Sequence, residues 1–185
     1  MVKINTCVFI SGKGTNLKKL ILNSYNYNFP IKIRLIVCNN KNAEGLKLAK
    51  KWSIPHLIVN TTQNLAEYKT LITLKNHKID LILLAGYMKV LSKNFIRSFG
   101  KTIINIHPSL LPKFKGLNTF EKVLKKKEIK TGCTVHFVTE KLDAGKIILK
   151  KSFYISKKDD VKSLKRKTQN LEYSAFSEAI IKIFK

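Results

Sequence analysis

The stretch VFISGKGTNLKKL, Val8 to Leu20, sets the fold, because an apolar run stops at a glycine-rich turn and an amphipathic segment begins without a gap. The run reads as a buried strand, and Leu17, Leu20 and Ile21 repeat at helical spacing. Gly12 and Gly14 let backbone approach closely, Thr15 and Asn16 can cap the helix, and N–H groups at a helix start attract an anion. A single phosphate fits this turn; so does a plain strand-to-helix connection. Two named motifs are excluded. Cys7 stands where a Walker loop has its first glycine, and Leu17 where a dinucleotide fingerprint has its third.

Working outward, the runs Ile4 to Ile10, Ile33 to Cys38, His56 to Val59, Leu81 to Ala85 and Ile103 to Ile106 are short, aliphatic and bounded by Gly, Pro, Asn or Asp, as strands are. Between them, Leu46 and Ala49, then Leu65, Tyr68, Leu71 and Ile72, then Val90, Leu91 and Phe95, carry helical spacing. This alternation implies right-handed crossovers and a parallel sheet covered on both faces. The last third differs. GCTVHFV (Gly132 to Val138) and GKIILKKSFYI (Gly145 to Ile155) face each other across a short turn, which predicts an antiparallel addition. After Asp159 or Asp160, either a plausible cap, a final helix bearing Val161, Leu164, Thr168, Leu171 and Ala175 is expected to pack on the sheet. The expected fold class is α/β: a Rossmann-like, mostly parallel sheet with helices on both faces and an antiparallel C-terminal extension. No repeat, linker or low-complexity tract interrupts it, so residues 1–185 read as a single domain.

Composition narrows the class. A chain of 185 residues, 44% hydrophobic and 25% charged, can bury a sizeable core. It has no run of the roughly 18 apolar residues that a membrane span needs, and Met1 to Val8 lacks the features of a secretory signal, so a cytoplasmic location without a membrane partner is expected. Cys7, Cys38 and Cys133 lie in or beside apolar runs and read as reduced, buried thiols. The formal charge of +25 resembles that of a nucleic-acid binder. Against that reading, only Arg34, Arg97 and Arg166 are arginine, and the lysines are spread through nearly every segment rather than gathered in one stripe. A solvated surface without a specific nucleic-acid partner is the expectation.

Chemistry concentrates in TIINIHPSLLPKFKG, Thr102 to Gly116. The two-residue period of a strand puts Asn105 and His107 on one face, at the carboxyl edge where open α/β sheets place ligands. Pro108 and Pro112 stiffen a loop long enough to act as a lid. Asp143, in a turn at the tip of the antiparallel ribbon, can lean over the same edge. This trio suits acyl transfer to an amine. His107, kept protonated by Asp143, stabilises the carbonyl oxygen as charge develops, and Asn105 donates a second hydrogen bond to it. No nucleophile elbow is present, and His107 and His136 lack a third ligand at metal spacing, so no metal is expected. Neither His107 nor Asp143 is expected to be a core group.

Four motifs in this order, ISGKGTNL, LAGYMKVLS, NIHPSLLPKFKG and GCTVHFVTEKLDAGKII, span Ile10 to Ile148, with Gln169 and Glu172 following. The sequence resembles the phosphoribosylglycinamide formyltransferase family. The resemblance implies transfer of a formyl group from the co-substrate 10-formyltetrahydrofolate to the amine of glycinamide ribonucleotide, without a metal. It further implies a phosphate-binding N-terminal part and a C-terminal part that binds folate and catalyses, in a monomer or homodimer. By position, Gly14, Thr15 and Asn16 would hold the phosphate, and Gln169 and Glu172 would face the ribose and glycinamide. Met88, Lys89, Val90 and Leu91, with Asn105, would line the folate site. His107 would be the acid, Asn105 its partner at the oxyanion, and Asp143 the group that raises the histidine pKa. Lys13 and Leu65 depart from the family pattern, the first adding charge at the phosphate turn, the second replacing an arginine toward the folate tail. The competing readings are another folate-dependent formyltransferase or a deformylase of the same fold, and a basic nucleic-acid-binding α/β module.

Overall fold

The computed structural model describes residues 2–59 and 63–184. In chain order the elements are β1 (Ile4–Ile10), α1 (Thr15–Ser24), β2 (Ile31–Cys38), α2 (Gly45–Lys51), β3 (His56–Ile58), α3 (Gln63–Asn76), β4 (Leu81–Leu84), α4 (Lys93–Phe99), β5 (Thr102–His107), α5 (Thr119–Lys125), β6 (Lys130–Phe137), β7 (Ile147–Tyr154) and α6 (Val161–Phe184). Strand pairing follows the order β3-β2-β1-β4-β5-β6-β7. β1 pairs in parallel with β2 and β4, β2 pairs in parallel with β3, and β6 pairs antiparallel with β7. The α/β class and the antiparallel addition are therefore as the sequence predicts. The chain forms two compact units, one running to Ile104 and one starting at Asn105.

In the first unit β1 is the central strand, and Cys7, Val8, Phe9 and Ile10 are buried between β2 and β4. Every residue of β4 is buried, which is why LILL shows no polar alternation. Leu17, Leu20 and Ile21 of α1 are buried as their spacing predicts. α3 is rotated from expectation: Leu65, Tyr68 and Ile72 are exposed, while Ala66, Thr70 and Leu74 face inward. The polar Thr70 can be buried because its hydroxyl donates to the Ala66 carbonyl at 2.7 Å within the helix. Val90 and Leu91 precede α4 rather than belonging to it, because Ser92 is extended and its Oγ accepts the Phe95 N–H, which starts the helix there. Cys7, Cys38 and Cys133 are free and buried.

In the second unit α6 packs on β6 and β7. Its buried stripe is Leu164, Thr168, Glu172, Ala175, Phe176, Ala179 and Ile180, while Leu171 is only half-buried and Glu172 takes the inward place beside it. Asp160 is the cap. Its Oδ1 accepts the Ser163 N–H at 2.7 Å and its own N–H donates to Ser163 Oγ at 3.0 Å, a reciprocal pair. Asp159 instead anchors the approach to the helix, accepting from Lys167 Nζ at 2.7 Å, the Ser156 N–H at 2.9 Å and Ser163 Oγ at 2.7 Å. The bond from Lys167 leads in holding its carboxyl down at about 2. A carboxylate with a lowered folded pKa contributes stability above its ordinary value of 3.8 and loses it as pH falls towards about 2. Asp159→Asn is expected to cost about 1 kcal/mol, a fall in Tm of about 2–4 °C at pH 7 in a thermal melt. The difference from the parent protein should shrink as pH falls below 3.8 and vanish only below about pH 2.

Candidate active site

Asn105 and His107 alternate with Ile104 and Ile106 along the end of β5, and both isoleucines are buried. His107 is itself buried. Its Nε2 lies 2.9 Å from the Phe114 carbonyl, to which an N–H at that atom donates, and its Nδ1 lies 3.4 Å from Asp143 Oδ2. Both ring nitrogens thus face oxygen acceptors. The 3.4 Å contact exceeds the usual length of a charge-assisted hydrogen bond.

The His107 and Asp143 side chains are only 6% and 7% exposed, which corrects the expectation that they lie off the core. The physical reason is the loop between them. The Gly116 N–H donates to Asp143 Oδ2 at 2.8 Å and closes the two loops over the carboxylate. Asp143 has φ +46°, a left-handed conformation that Asp tolerates better than most residues but that still costs energy. The residues from Pro108 to Gly116, expected as a lid, are fastened to β6. Thr134 Oγ1 donates to the Ser109 carbonyl at 2.7 Å and accepts the Leu111 N–H at 3.1 Å, while Ser109 Oγ donates to the Lys113 carbonyl at 2.7 Å.

His136 joins this cluster, although the sequence alone raises it only as a metal ligand that lacks partners. Its Nδ1 donates to the Phe137 carbonyl at 2.8 Å, and its Nε2 accepts from Asn105 Nδ2 at 3.2 Å. Burial pushes its pKa down, which favours the neutral ring this bonding requires. Nε2 also lies 3.6 Å from Asp143 Oδ1, but an unprotonated Nε2 makes no ion pair there. His136 therefore fixes which end of the Asn105 amide carries donors, and an amide nitrogen has a second N–H for another acceptor. The two-residue period of β6 places Thr134 and His136 on one face, the single sequence signal that pointed to this partnership.

The other predicted residues fall in separate places. In the first unit Gly14 is the N-cap of α1 at φ 72°, so the expected Thr15 and Asn16 lie inside the helix and the cap has no side chain. The Gly12 carbonyl accepts the Gly45 N–H at 3.0 Å. Met88, Lys89 and Val90 are exposed and Leu91 is buried. This strip is held at both ends: the Met88 N–H donates to Ser11 Oγ at 2.8 Å, and Glu67 accepts from both the N–H and hydroxyl of Ser92. In the second unit Glu172 is buried on α6, with half-buried Gln169 nearly one turn before it. Among the described residues no group of His, Cys, Asp and Glu is arranged to hold a metal ion, and no helix is long and apolar enough to cross a membrane.

The chain belongs to the formyl transferase family, whose model matches residues 4–180, and is a formyltransferase. It is 38% identical over 178 residues to the phosphoribosylglycinamide formyltransferase of Haemophilus influenzae, covering 91% of this chain and 82% of that one. It is 37% identical to the human trifunctional purine biosynthetic protein adenosine-3, covering 96% of this chain but 18% of that protein. Among solved structures, the phosphoribosylglycinamide formyltransferase of Campylobacter jejuni superposes with a TM-score of 0.91 at 30% identity, covering 100% of this chain and 99% of that one.

Because the His136 pKa is lowered from 6.5, the unfolded chain binds its proton first as pH falls, so the stability this residue contributes is present above 6.5 and declines below it. His136→Gln cannot titrate and is expected to flatten the fall in Tm between pH 7 and 5. An unchanged slope would show that the buried ring is not the titrating group.

Proposed function

We propose that the chain transfers the formyl group of 10-formyltetrahydrofolate to the amine of 5-phosphoribosylglycinamide. The observation that carries this reading is the buried cluster in which His107 faces Asp143 while Asn105 is oriented by a neutral His136. Such a cluster supplies hydrogen-bond donors where an acyl oxygen gains charge, and membership of the formyl transferase family supplies the group transferred.

In the proposed reaction the amine nitrogen attacks the formyl carbon and the carbonyl electron pair moves to oxygen. The second N–H of Asn105 donates to that oxygen. The Nε2 proton of His107 exchanges the Phe114 carbonyl for the same oxygen, a stronger acceptor once it is charged. Asp143 compensates the positive ring through Nδ1. Collapse of the tetrahedral centre breaks the bond to the folate nitrogen, which takes up a proton, while the incoming amine gives one up. The amine proton can reach the folate nitrogen by way of His107, which gives up its Nε2 proton as the general acid and regains one from the amine, and no acyl-enzyme forms.

The remaining assignments follow family position. Gly14, Thr15 and Asn16 hold the substrate phosphate at the start of α1, where N–H groups lack intrahelical acceptors. Gln169 and Glu172 meet the ribose and glycinamide. The strip from Met88 to Leu91, with Asn105, meets the folate. The partners are thus two small molecules, with no specific nucleic acid, and the site of action is the cytoplasm.

The test is a spectrophotometric formyl-transfer assay with a 10-formyl folate and glycinamide ribonucleotide. Turnover that requires the nucleotide is expected. Folate consumption without it would mean a deformylase, and transfer only to initiator methionyl-transfer RNA would mean a different acceptor; either overturns the proposal. His107→Ala is expected to lower kcat by about 10²–10⁴-fold, with folding checked by circular dichroism because the ring is buried. Lys13→Ala should raise KM for the nucleotide several-fold at nearly constant kcat, the mark of lost ground-state binding.

A further inference from the structure

Gly45 lies at the start of α2, outside every residue assigned to a substrate, and is buried against the glycine-rich turn. A side chain there has no room. A Cβ on Gly45 would fall 2.7 Å from Ile10 Cδ1, 2.9 Å from the Gly12 carbonyl oxygen and 3.3 Å from Gly14 Cα. The relation is reciprocal, since a Cβ on Gly14 would fall 2.9 Å from Gly45 Cα. Ile10 Cδ1 ends a flexible side chain and can move aside. The Gly12 carbonyl is backbone, and moving it turns the peptide that enters the turn.

That carbonyl matters because an anion needs N–H groups pointing at it and carbonyl oxygens pointing away. The Gly45 N–H donates to the Gly12 oxygen at 3.0 Å and so fixes the direction of that acceptor. We infer that Gly45 is a positioning residue for the phosphorylated acceptor: by lacking a side chain and donating its N–H to Gly12, it holds the turn in its anion-receiving shape. This deepens the proposed function and rests on reading Gly14 to Asn16 as the phosphate site.

The test uses the full chain. Gly45→Ala should raise KM for glycinamide ribonucleotide about tenfold while leaving kcat and the KM for formyl folate within about twofold. The stabilisation of the protein by ribose 5-phosphate in a thermal melt should shrink in parallel. Because alanine also crowds Ile10, the double variant Gly45→Ala with Ile10→Val removes that contact. Its Tm should recover while the raised KM persists, since the Gly12 carbonyl is still displaced. A KM that recovers together with Tm would reduce the effect to core crowding and overturn the inference, as would an unchanged nucleotide KM in folded Gly45→Ala. Equal losses for both substrates would overturn it too. Failure of the functional reading is distinct, because the parent enzyme would then show no turnover dependent on the nucleotide.

Discussion

The second unit is organised around one buried carboxylate. Removing a charge from water is expensive unless polar partners replace the solvent, and Asp143 has the Gly116 N–H and His107. Two cationic rings against one carboxylate would leave a positive charge uncompensated in the interior. Burial of His136 resolves this by keeping one ring neutral, against the opposing effect of its bond to the Phe137 carbonyl. The same neutral ring then accepts from Asn105, so the charge balance of the carboxylate also sets the direction of the amide. Loop geometry follows from this as well, since the Gly116 bond requires residues near 116 and 143 to meet and Asp143 to adopt a positive φ.

How much of this was legible in the sequence depends on how local each cause is. The strands were readable because an aliphatic run bounded by turn residues is a local pattern, and the alternation of Asn105 and His107 follows from the period of a strand. The face of α3 was misread because Leu65, Tyr68 and Ile72 look like a core stripe, whereas Thr70 satisfies its hydroxyl inside the helix and turns inward. The start of α4 was misplaced for a related reason: nothing in KVL announces that Ser92 will be extended and will meet Glu67, a residue 25 positions earlier. The tautomer of His136 and the absence of space at Gly45 depend on groups distant in sequence and leave no periodic trace.

The charge that dominates the composition does little of this work. With 36 basic residues and 11 acidic ones, most lysines have no carboxylate to pair with. The ion pairs Lys101 to Asp80, Lys113 to Glu128 and Lys151 to Glu178 have at least one well-exposed member and each contributes at most about 1 kcal/mol. Lys167 to Asp159 differs because the carboxylate is buried and two further hydrogen bonds hold it. The remaining lysines repel one another through solvent, a cost that falls with ionic strength as the Debye length shortens.

The lysine field and the proposed phosphate turn would attract an anion in ways of different physical character. The lysine field is long-ranged, screened by salt and indifferent to the shape of what it attracts, so it affects encounter rates more than discrimination. The turn at Gly14, as the proposed phosphate site, would act only within hydrogen-bond distance, through backbone groups packed where neither Gly14 nor Gly45 has room for a side chain. Backbone donors fixed in advance lose little entropy on binding, whereas a lysine must give up rotamer freedom to hold a phosphate. Under the proposed reading, the loss of a lysine far from the turn is accordingly a small change in a broad field, while one methyl group on the back of the turn would change the shape of the element that receives the phosphate.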